Sequence, residues 1–311
     1  MKHKILQLIP LCKKIQSRIN ASFTVYLSLD KFPEDHKTLE NIDAIITNGA
    51  IGAPKTMLDQ LPNLKFITVH GVGYDNIDIE TVKKRNIKVS IATNVPTADV
   101  ADMAIALLLC VSRQIILRDQ FLRQGGWEKG LFPLQGYSVS HKKVGIMGMG
   151  PIGKAIAKRL EAFENEVCYT ARHEHHDVSW QFIPSLEDLA KRSDILIIAA
   201  SGGINSKNAV NQKVIEALGK QGFLINIGRG TTIDQTALIE ALQTKKIAGA
   251  GLDVFQNEPH VPPSLISLPN VVLTPHSAGA TFETSEKTGF KVLHSLEHFF
   301  NGEDLLDEIK F

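Results

Sequence analysis

Val144-Gly-Ile-Met-Gly-Met-Gly-Pro-Ile-Gly153 decides how the chain is read. Val144 to Met147 is a short apolar run with the pattern of a buried strand. Gly148, Gly150 and Gly153 then form a Gly-x-Gly-x-x-Gly turn, and residues 154–163 follow with the apolar spacing of an amphipathic helix. Strand, glycine turn and helix in that order are the context in which this motif holds a dinucleotide. Gly148 permits the tight turn, Gly150 lets the backbone approach a pyrophosphate, and Gly153 lets the helix pack on the strand. The unpaired N–H groups at the helix start, with the positive end of its dipole, then face the phosphates. The alternative is a glycine-rich turn with no ligand, and the flanking strand and helix weigh against it.

Downstream the pattern repeats. Strands are expected at 144–147, 166–170, 195–200, 223–227, 248–253 and 271–273, with helices at 186–191, 213–218 and 235–244. Six strands make a complete dinucleotide-binding sheet. Upstream, strands at 4–9, 23–27, 42–47, 64–70 and 87–91 alternate with short helices, which predicts a second parallel α/β sheet. Residues 97–123 read as one long helix with Val100, Ala104, Leu107, Leu108, Val111 and Ile115 on its apolar side, ended by Gly125-Gly126. The last helix, 283–301, is expected to return to the first sheet. The fold class is therefore α/β, with two Rossmann-like parallel-sheet domains and a cleft between them. Residues 1–95 and 283–311 form a discontinuous, flavodoxin-like substrate domain, and residues 96–282 the dinucleotide-binding domain. A chain of 311 residues suits two cores, since single cores stop growing near ~250–300 residues.

Composition narrows the function classes. Lys and Arg (34) balance Asp and Glu (33), so no basic excess points to nucleic acid or to a membrane surface. The apolar run 103–111 is far shorter than the ~20 residues that span a bilayer. The N-terminus reads as a first core strand rather than a signal peptide. Cys12, Cys110 and Cys168 are few and widely spaced, and read as free thiols of a reducing, cytoplasmic protein. His173, His175 and His176 share one loop with no second ligand cluster, so no metal is expected.

The second strand of the dinucleotide sheet indicates which nicotinamide cofactor fits. An NAD-binding strand ends in a carboxylate that takes the ribose 2′-OH. Here it ends at Thr170, followed by Ala171-Arg172. A neutral hydroxyl beside a guanidinium suits a 2′-phosphate, which a carboxylate would repel. NADP(H) is thus preferred, with NAD(H) possible; Arg172 as a solvated loop charge is the competing reading.

Four ionisable residues fall at or just after strand ends of this sheet: Arg229 in Gly-Arg-Gly, Asp253 in Gly-Leu-Asp-Val-Phe, Glu258 in Asn-Glu-Pro, and His276 in Thr-Pro-His-Ser-Ala-Gly. Ligands of open parallel sheets bind outside the carboxyl ends of the strands. In this order behind the glycine turn, the set resembles the D-2-hydroxyacid dehydrogenase family, and within it the NADPH-dependent glyoxylate/hydroxypyruvate reductases and the hydroxyphenylpyruvate reductases. Val69-His-Gly-Val-Gly-Tyr-Asp-Asn-Ile-Asp78 is similar to their substrate loop. The resemblance implies that Arg229, Glu258 and His276 are catalytic. It places Val72, Gly73, Arg229 and His276 on the substrate. It also places Gly148, Gly150, Pro151, Ile152, Gly153, Thr170, Ala171, Arg172, Ala200, Ile227, Asp253, Ala278 and Gly279 at the cofactor. The implied reaction reduces a small 2-oxoacid (glyoxylate, hydroxypyruvate or an aryl pyruvate) to the D-2-hydroxyacid, with His276 giving the proton. A homodimer is implied as well, with Trp127 or Phe132 as side chains that would reach the partner's site.

Departures exist. Ala200-Ser-Gly-Gly-Ile-Asn205 replaces the family's usual Leu-Thr-Pro type of loop beside the cofactor, so the contacts of Ser201, Gly202 and Gly203 are open. Two other functions compete: a dinucleotide-sensing corepressor on the same fold, and an NAD-dependent relative such as phosphoglycerate dehydrogenase. Joint retention of Arg229, Glu258 and His276 argues for an enzyme, and the missing acidic residue at position 170 argues against the second.

Overall fold

The computed structural model describes residues 2–29, 35–131, 135–203, 206–305 and 307–311. The chain divides into two compact units, Met1–Pro96 with Ala280–Phe311, and Thr97–Gly279.

The first unit alternates β1 (Lys4–Gln7), α1 (Lys13–Ser22), β2 (Thr24–Leu27), α2 (His36–Leu39), β3 (Ala44–Thr47), α3 (Lys55–Leu58), β4 (Phe66–Val69), α4 (Ile79–Lys84) and β5 (Lys88–Ser90). All neighbours pair in parallel, in the order β2-β1-β3-β4-β5, which is flavodoxin-like. The strands are apolar on both faces because helices cover both. Ile5, Ala44, Ile46 and Phe66 enter one core cluster, while Leu6, Ile45 and Ile67 enter the other.

The second unit runs α5 (Thr97–Ser112), α6 (Ile115–Arg123), β6 (Lys143–Met147), α7 (Pro151–Glu161), β7 (Glu166–Thr170), β8 (Gln181–Phe182), α8 (Leu186–Lys191), β9 (Ile195–Ile198), α9 (Gln212–Leu218), β10 (Phe223–Asn226), α10 (Gln235–Gln243), β11 (Gly249–Leu252), α11 (Pro263–Ile266) and β12 (Val271–Leu273). Its parallel sheet has the order β12-β11-β10-β9-β6-β7-β8, the doubly wound pattern with its switch point between β6 and β9. Val144, Ile146, Ile195, Ile197 and Ile225 pack under α5 and α7; Leu196, Ile198, Leu224 and Leu252 pack under α8 to α10. The chain then re-enters the first unit as α12 (Phe282–Asn301), which lies against α1: a Cβ on Gly289 would stand 2.9 Å from Ile15 Cγ1.

Three details differ from the sequence reading. The sheet of the second unit has a seventh strand, β8, whose two residues are too few to show a period. The helix after the glycine turn starts at Pro151, not at 154, with Gly150 as its N-cap and the proline in its first turn, where a missing N–H costs nothing. The stretch 97–123 is two helices bent by 58° at Gln114, which sits in the left-handed region at φ 54°. No glycine or proline marks that break. Tyr137 N–H takes the Ser112 carbonyl (2.8 Å), and Ser112 Oγ donates back to Leu108 C=O (2.6 Å), which diverts the helix ladder. Among the described residues no single helix is long and apolar enough to cross a membrane.

Candidate active site

The glycine turn leaves β6 at the switch point. Gly148 adopts φ +99°, and a Cβ there would lie 2.7 Å from the backbone of Ala200, so only glycine fits both the turn and the neighbouring β9 end. A Cβ on Gly153 would meet Gly148 C=O at 2.0 Å, which explains the close seating of α7 on the turn. Gly150 differs: nothing lies within 4 Å of the Cβ position, so its face is open. An open glycine at the N-terminus of an 11-residue helix, with the first-turn N–H groups that a helix start leaves without intrahelical partners beside it, is a fitting seat for a pyrophosphate.

At the end of β7 the Thr170 carbonyl accepts from Gly148 N–H (2.8 Å), and its buried hydroxyl donates to Pro184 C=O (3.3 Å). The Thr170 side chain therefore faces the protein. Ala171 is half-buried, whereas Arg172 is exposed and makes no ion pair among the described residues. The loop it belongs to is held at its far side by a Lys154–Asp177 ion pair and by His175 N–H donating to the buried Tyr169 hydroxyl (2.8 Å).

Arg229 follows β10. Asn226, wholly buried at the strand end, closes the turn: its Nδ2 donates to Arg229 C=O and its Oδ1 accepts from Gly228 N–H, both at 3.0 Å. The guanidinium Nη1 donates to Gly228 C=O (2.8 Å). A Cβ on Gly230 would stand 1.9 Å from the Phe255 carbonyl, so the turn packs directly on the segment after β11. Ile227 is buried in the same stretch.

His276 lies beyond β12 at φ 50°, a strained region for a non-glycine residue. Its N–H donates to the carbonyls of Asp253 (2.8 Å) and Thr274 (3.0 Å). Asp253 is expected at the cofactor, and the structure gives its side chain another task. It is fully buried, and its carboxylate accepts from Thr274 Oγ1 (2.6 Å), Ser277 N–H (2.9 Å) and Ala278 N–H (3.0 Å). It thus clamps the loop that carries His276, Ala278 and Gly279. Glu258 reaches the imidazole: its Oε2 is 2.7 Å from His276 Nδ1, while its Oε1 accepts from Phe255 N–H (2.9 Å).

The electrostatics follow from these contacts. The hydrogen bond to Glu258 raises the His276 pKa; burial works against it, the Glu258 charge reinforces it, and Arg229 opposes it. Burial pushes the Glu258 carboxyl up, but the His276 and Phe255 hydrogen bonds, with the His276 and Arg229 charges, outweigh it and hold the group low. The pair is therefore a carboxylate and an imidazole inclined to carry a proton. Nδ1 is committed to Glu258, and Nε2 makes no hydrogen bond among the described residues. Such a group can hand a proton to a nascent oxyanion.

In the first unit, Val72 and Gly73 lie in the half-buried loop after β4. His70 at its base has Nε2 3.3 Å from Ser285 C=O of α12, and burial lowers its pKa. Trp127 is 66% exposed. Phe132 lies outside the described residues, as do Ile204 and Asn205. In the described part of that last loop, Ser206 Oγ is 3.1 Å from the carbonyls of both Ser201 and Gly203. Sequence reading passed over Asn226 and Thr274; a polar residue at a parallel-strand end, as Asn226 is, was the available signal for the first.

Comparison with known proteins places this geometry among relatives. The sequence model of the D-isomer-specific 2-hydroxyacid dehydrogenase NAD-binding domain matches residues 105–278. A 2-ketogluconate reductase of Gluconobacter oxydans is 46% identical over 310 residues, covering 99% of each chain. A glyoxylate/hydroxypyruvate reductase A of Arabidopsis thaliana is 39% identical and covers 98% of each. Among solved structures, an NADPH-dependent glyoxylate/hydroxypyruvate reductase of Sinorhizobium meliloti, in complex with NADP and malonate, superposes with a TM-score of 0.93 at 37% identity, over 99% of this chain and 97% of that one.

Proposed function

The chain belongs to the D-isomer-specific 2-hydroxyacid dehydrogenases, and from that membership we propose that it reduces a small 2-oxoacid to the D-2-hydroxyacid with NADPH, using His276 as the proton donor. The observation that carries the proposal is the 2.7 Å pair of His276 Nδ1 and Glu258 Oε2, with the Arg229 charge acting on both.

A 2-oxoacid presents a carboxylate beside a ketone. Arg229 pairs with the carboxylate and polarises the ketone through its fixed fork of donors. The backbone N–H groups at Val72 and Gly73 are assigned to the 2-oxoacid carboxylate. When bound, reduced nicotinamide supplies the hydride that reaches the ketone carbon. The oxygen then carries the electron pair of the broken π bond, and His276 Nε2 gives it a proton. Glu258 holds the imidazolium in orientation throughout. The protein thereby contributes position and charge.

NADPH is assigned over NADH on Arg172, an exposed guanidinium where a carboxylate would exclude a 2′-phosphate. Self-association is assigned to α6 and the turn after it, where Ile115, Ile116, Leu117, Leu122, Trp127 and Leu131 are between 39% and 66% exposed. A run of this kind marks an interaction surface. Light scattering on the purified protein is expected to give the mass of two chains, and the mass of one chain would contradict the assignment.

The substrate is tested by a panel of 2-oxoacids with graded side chains, assayed with NADPH. Glyoxylate, hydroxypyruvate, an aryl pyruvate and 2-ketogluconate share a carboxylate beside a 2-oxo carbonyl and differ in what that carbonyl carries. Turnover of at least one is the expected outcome, with the D-isomer as product wherever the product is chiral. Binding of NADPH with no turnover of any would favour a dinucleotide-sensing protein instead.

A further inference from the structure

We propose that Asn76 is a positioning residue for this reaction: its side-chain amide fixes the Val72–Gly73 backbone against the turn after β3, and so sets the affinity for the 2-oxoacid without touching it. The proposal rests on the assignment of Val72 and Gly73 to the substrate carboxylate.

β4 ends in a sharp bend. His70 N–H donates to Thr47 C=O (2.7 Å), Gly71 N–H returns to Val69 C=O (2.9 Å), and Gly71 adopts φ +139°. The loop that follows lies on the turn after β3. Gly73 is packed against Gly49 so closely that a Cβ on Gly49 would stand 3.0 Å from Gly73 C=O. Beyond it, Asn76 Nδ2 donates to the carbonyls of Gly49 (3.1 Å) and Ala50 (2.8 Å). Its own carbonyl accepts from Ala53 N–H (3.1 Å), and Asp78 N–H returns to Ala53 C=O (3.0 Å). Asn76 is exposed, so it fills no core. Both of its amide protons go to neighbouring carbonyls of the opposite turn.

Gly52 supplies an independent sign that this approach is built in. It adopts φ +64°, and a Cβ there would lie 2.3 Å from Asn76 C=O and 2.5 Å from Asn76 Cβ. Any side chain at position 52 would drive Asn76 away. The Gly73 amide therefore sits between two fixed points, the bend at Gly71 and the amide bridge at Asn76. A carboxylate seat made of backbone N–H groups has no rotamer to adjust, so its accuracy is that of the loop.

The test compares wild type with Asn76→Ala, Asn76→Asp, Asn76→Ser and Gly52→Ala in steady-state kinetics with NADPH and glyoxylate or hydroxypyruvate, alongside melting temperatures. Loss of two neutral hydrogen bonds predicts a rise of about ten-fold in the KM for the 2-oxoacid in Asn76→Ala. The KM for NADPH stays at the wild-type value. Asn76→Asp, which turns an acceptor toward two carbonyls, has the largest effect, and Asn76→Ser, with one donor, falls between. Gly52→Ala reproduces Asn76→Ala, and Asn76→Ser carries the test if the others fail to fold. An unchanged 2-oxoacid KM in these variants overturns the role of Asn76. So does a parallel rise of both KM values, which marks a merely structural residue. A wild-type protein that turns over no 2-oxoacid overturns the parent assignment, and this proposal with it.

Discussion

His276 Nδ1 lies 2.7 Å from Glu258 Oε2, and that contact decides which nitrogen is left to meet a substrate. It also couples activity to pH. The His276 pKa is raised by the Glu258 hydrogen bond, so the imidazolium persists above its ordinary 6.5. With His276 as the proposed proton donor, reduction requires the protonated ring, and kcat/KM for the 2-oxoacid is expected to fall only as pH rises through that raised value. In Glu258→Gln the raising contact loses its charge, and the descending limb moves to lower pH. A pH profile of each protein checks this, and superimposable limbs would contradict it. Stability follows the same pair. The Glu258 pKa is lowered, so its contribution is fully present above its ordinary 4.5 and is lost as pH falls through the folded value. The His276 contribution is fully present below 6.5 and is lost as pH rises through the folded value. Both therefore act together between 4.5 and 6.5.

Asn226 closes the turn that carries Arg229, and the guanidinium Nη1 donates to Gly228 C=O. Arg229→Ala is expected to raise the KM for the 2-oxoacid by about ten-fold or more, as for a lost charge-assisted hydrogen bond, and to lower kcat. Arg229→Lys keeps the charge and loses the fork, so it recovers only part of the affinity. An unchanged KM in Arg229→Ala would remove the guanidinium from the carboxylate.

Arg172 stands exposed after β7, where Thr170 turns its hydroxyl inward. The proposed preference for NADPH is argued from this cation. Arg172→Ala is expected to raise the KM for NADPH by about ten-fold while leaving that for NADH near wild type. Parallel kinetics with the two cofactors decide it, and retained NADPH affinity would place the 2′-phosphate elsewhere.

Asp253 carries three hydrogen bonds into the loop 274–278 from a fully buried position. Asp253→Asn keeps one acceptor oxygen and faces an amide donor toward a backbone N–H. The cost is expected at about 1–3 kcal/mol, read as a lower melting temperature, with kcat reduced because His276 is displaced. Unaltered kcat at reduced stability would confine Asp253 to folding.

The parts legible in the sequence were those where local chemistry admits one solution. Gly148, Gly150 and Gly153 are spaced by the needs of a strand, a phosphate and a helix, and the alternation of strands and helices follows from burial on both faces of a parallel sheet. The break at Gln114 was not legible, because its cause is Tyr137, far along the chain. Asp253 announced a strand end but not a direction; only the fold reveals that its carboxylate points into a loop. The start of α7 at Pro151 was missed, because the amphipathic pattern begins one turn later. Asn76 and Gly52 are separated by a helix and a strand, and nothing in either residue names the other.

The central claim is that His276 protonates a 2-oxoacid reduced by NADPH. It is tested most directly by following NADPH oxidation with hydroxypyruvate or glyoxylate in wild type and His276→Ala, with NADPH binding measured on both by fluorescence. The predicted result is turnover by the wild type and a loss of about 10²–10⁴-fold in the variant, with the affinity for NADPH unchanged. Equal rates in the two proteins, or loss of NADPH binding together with turnover, would contradict it.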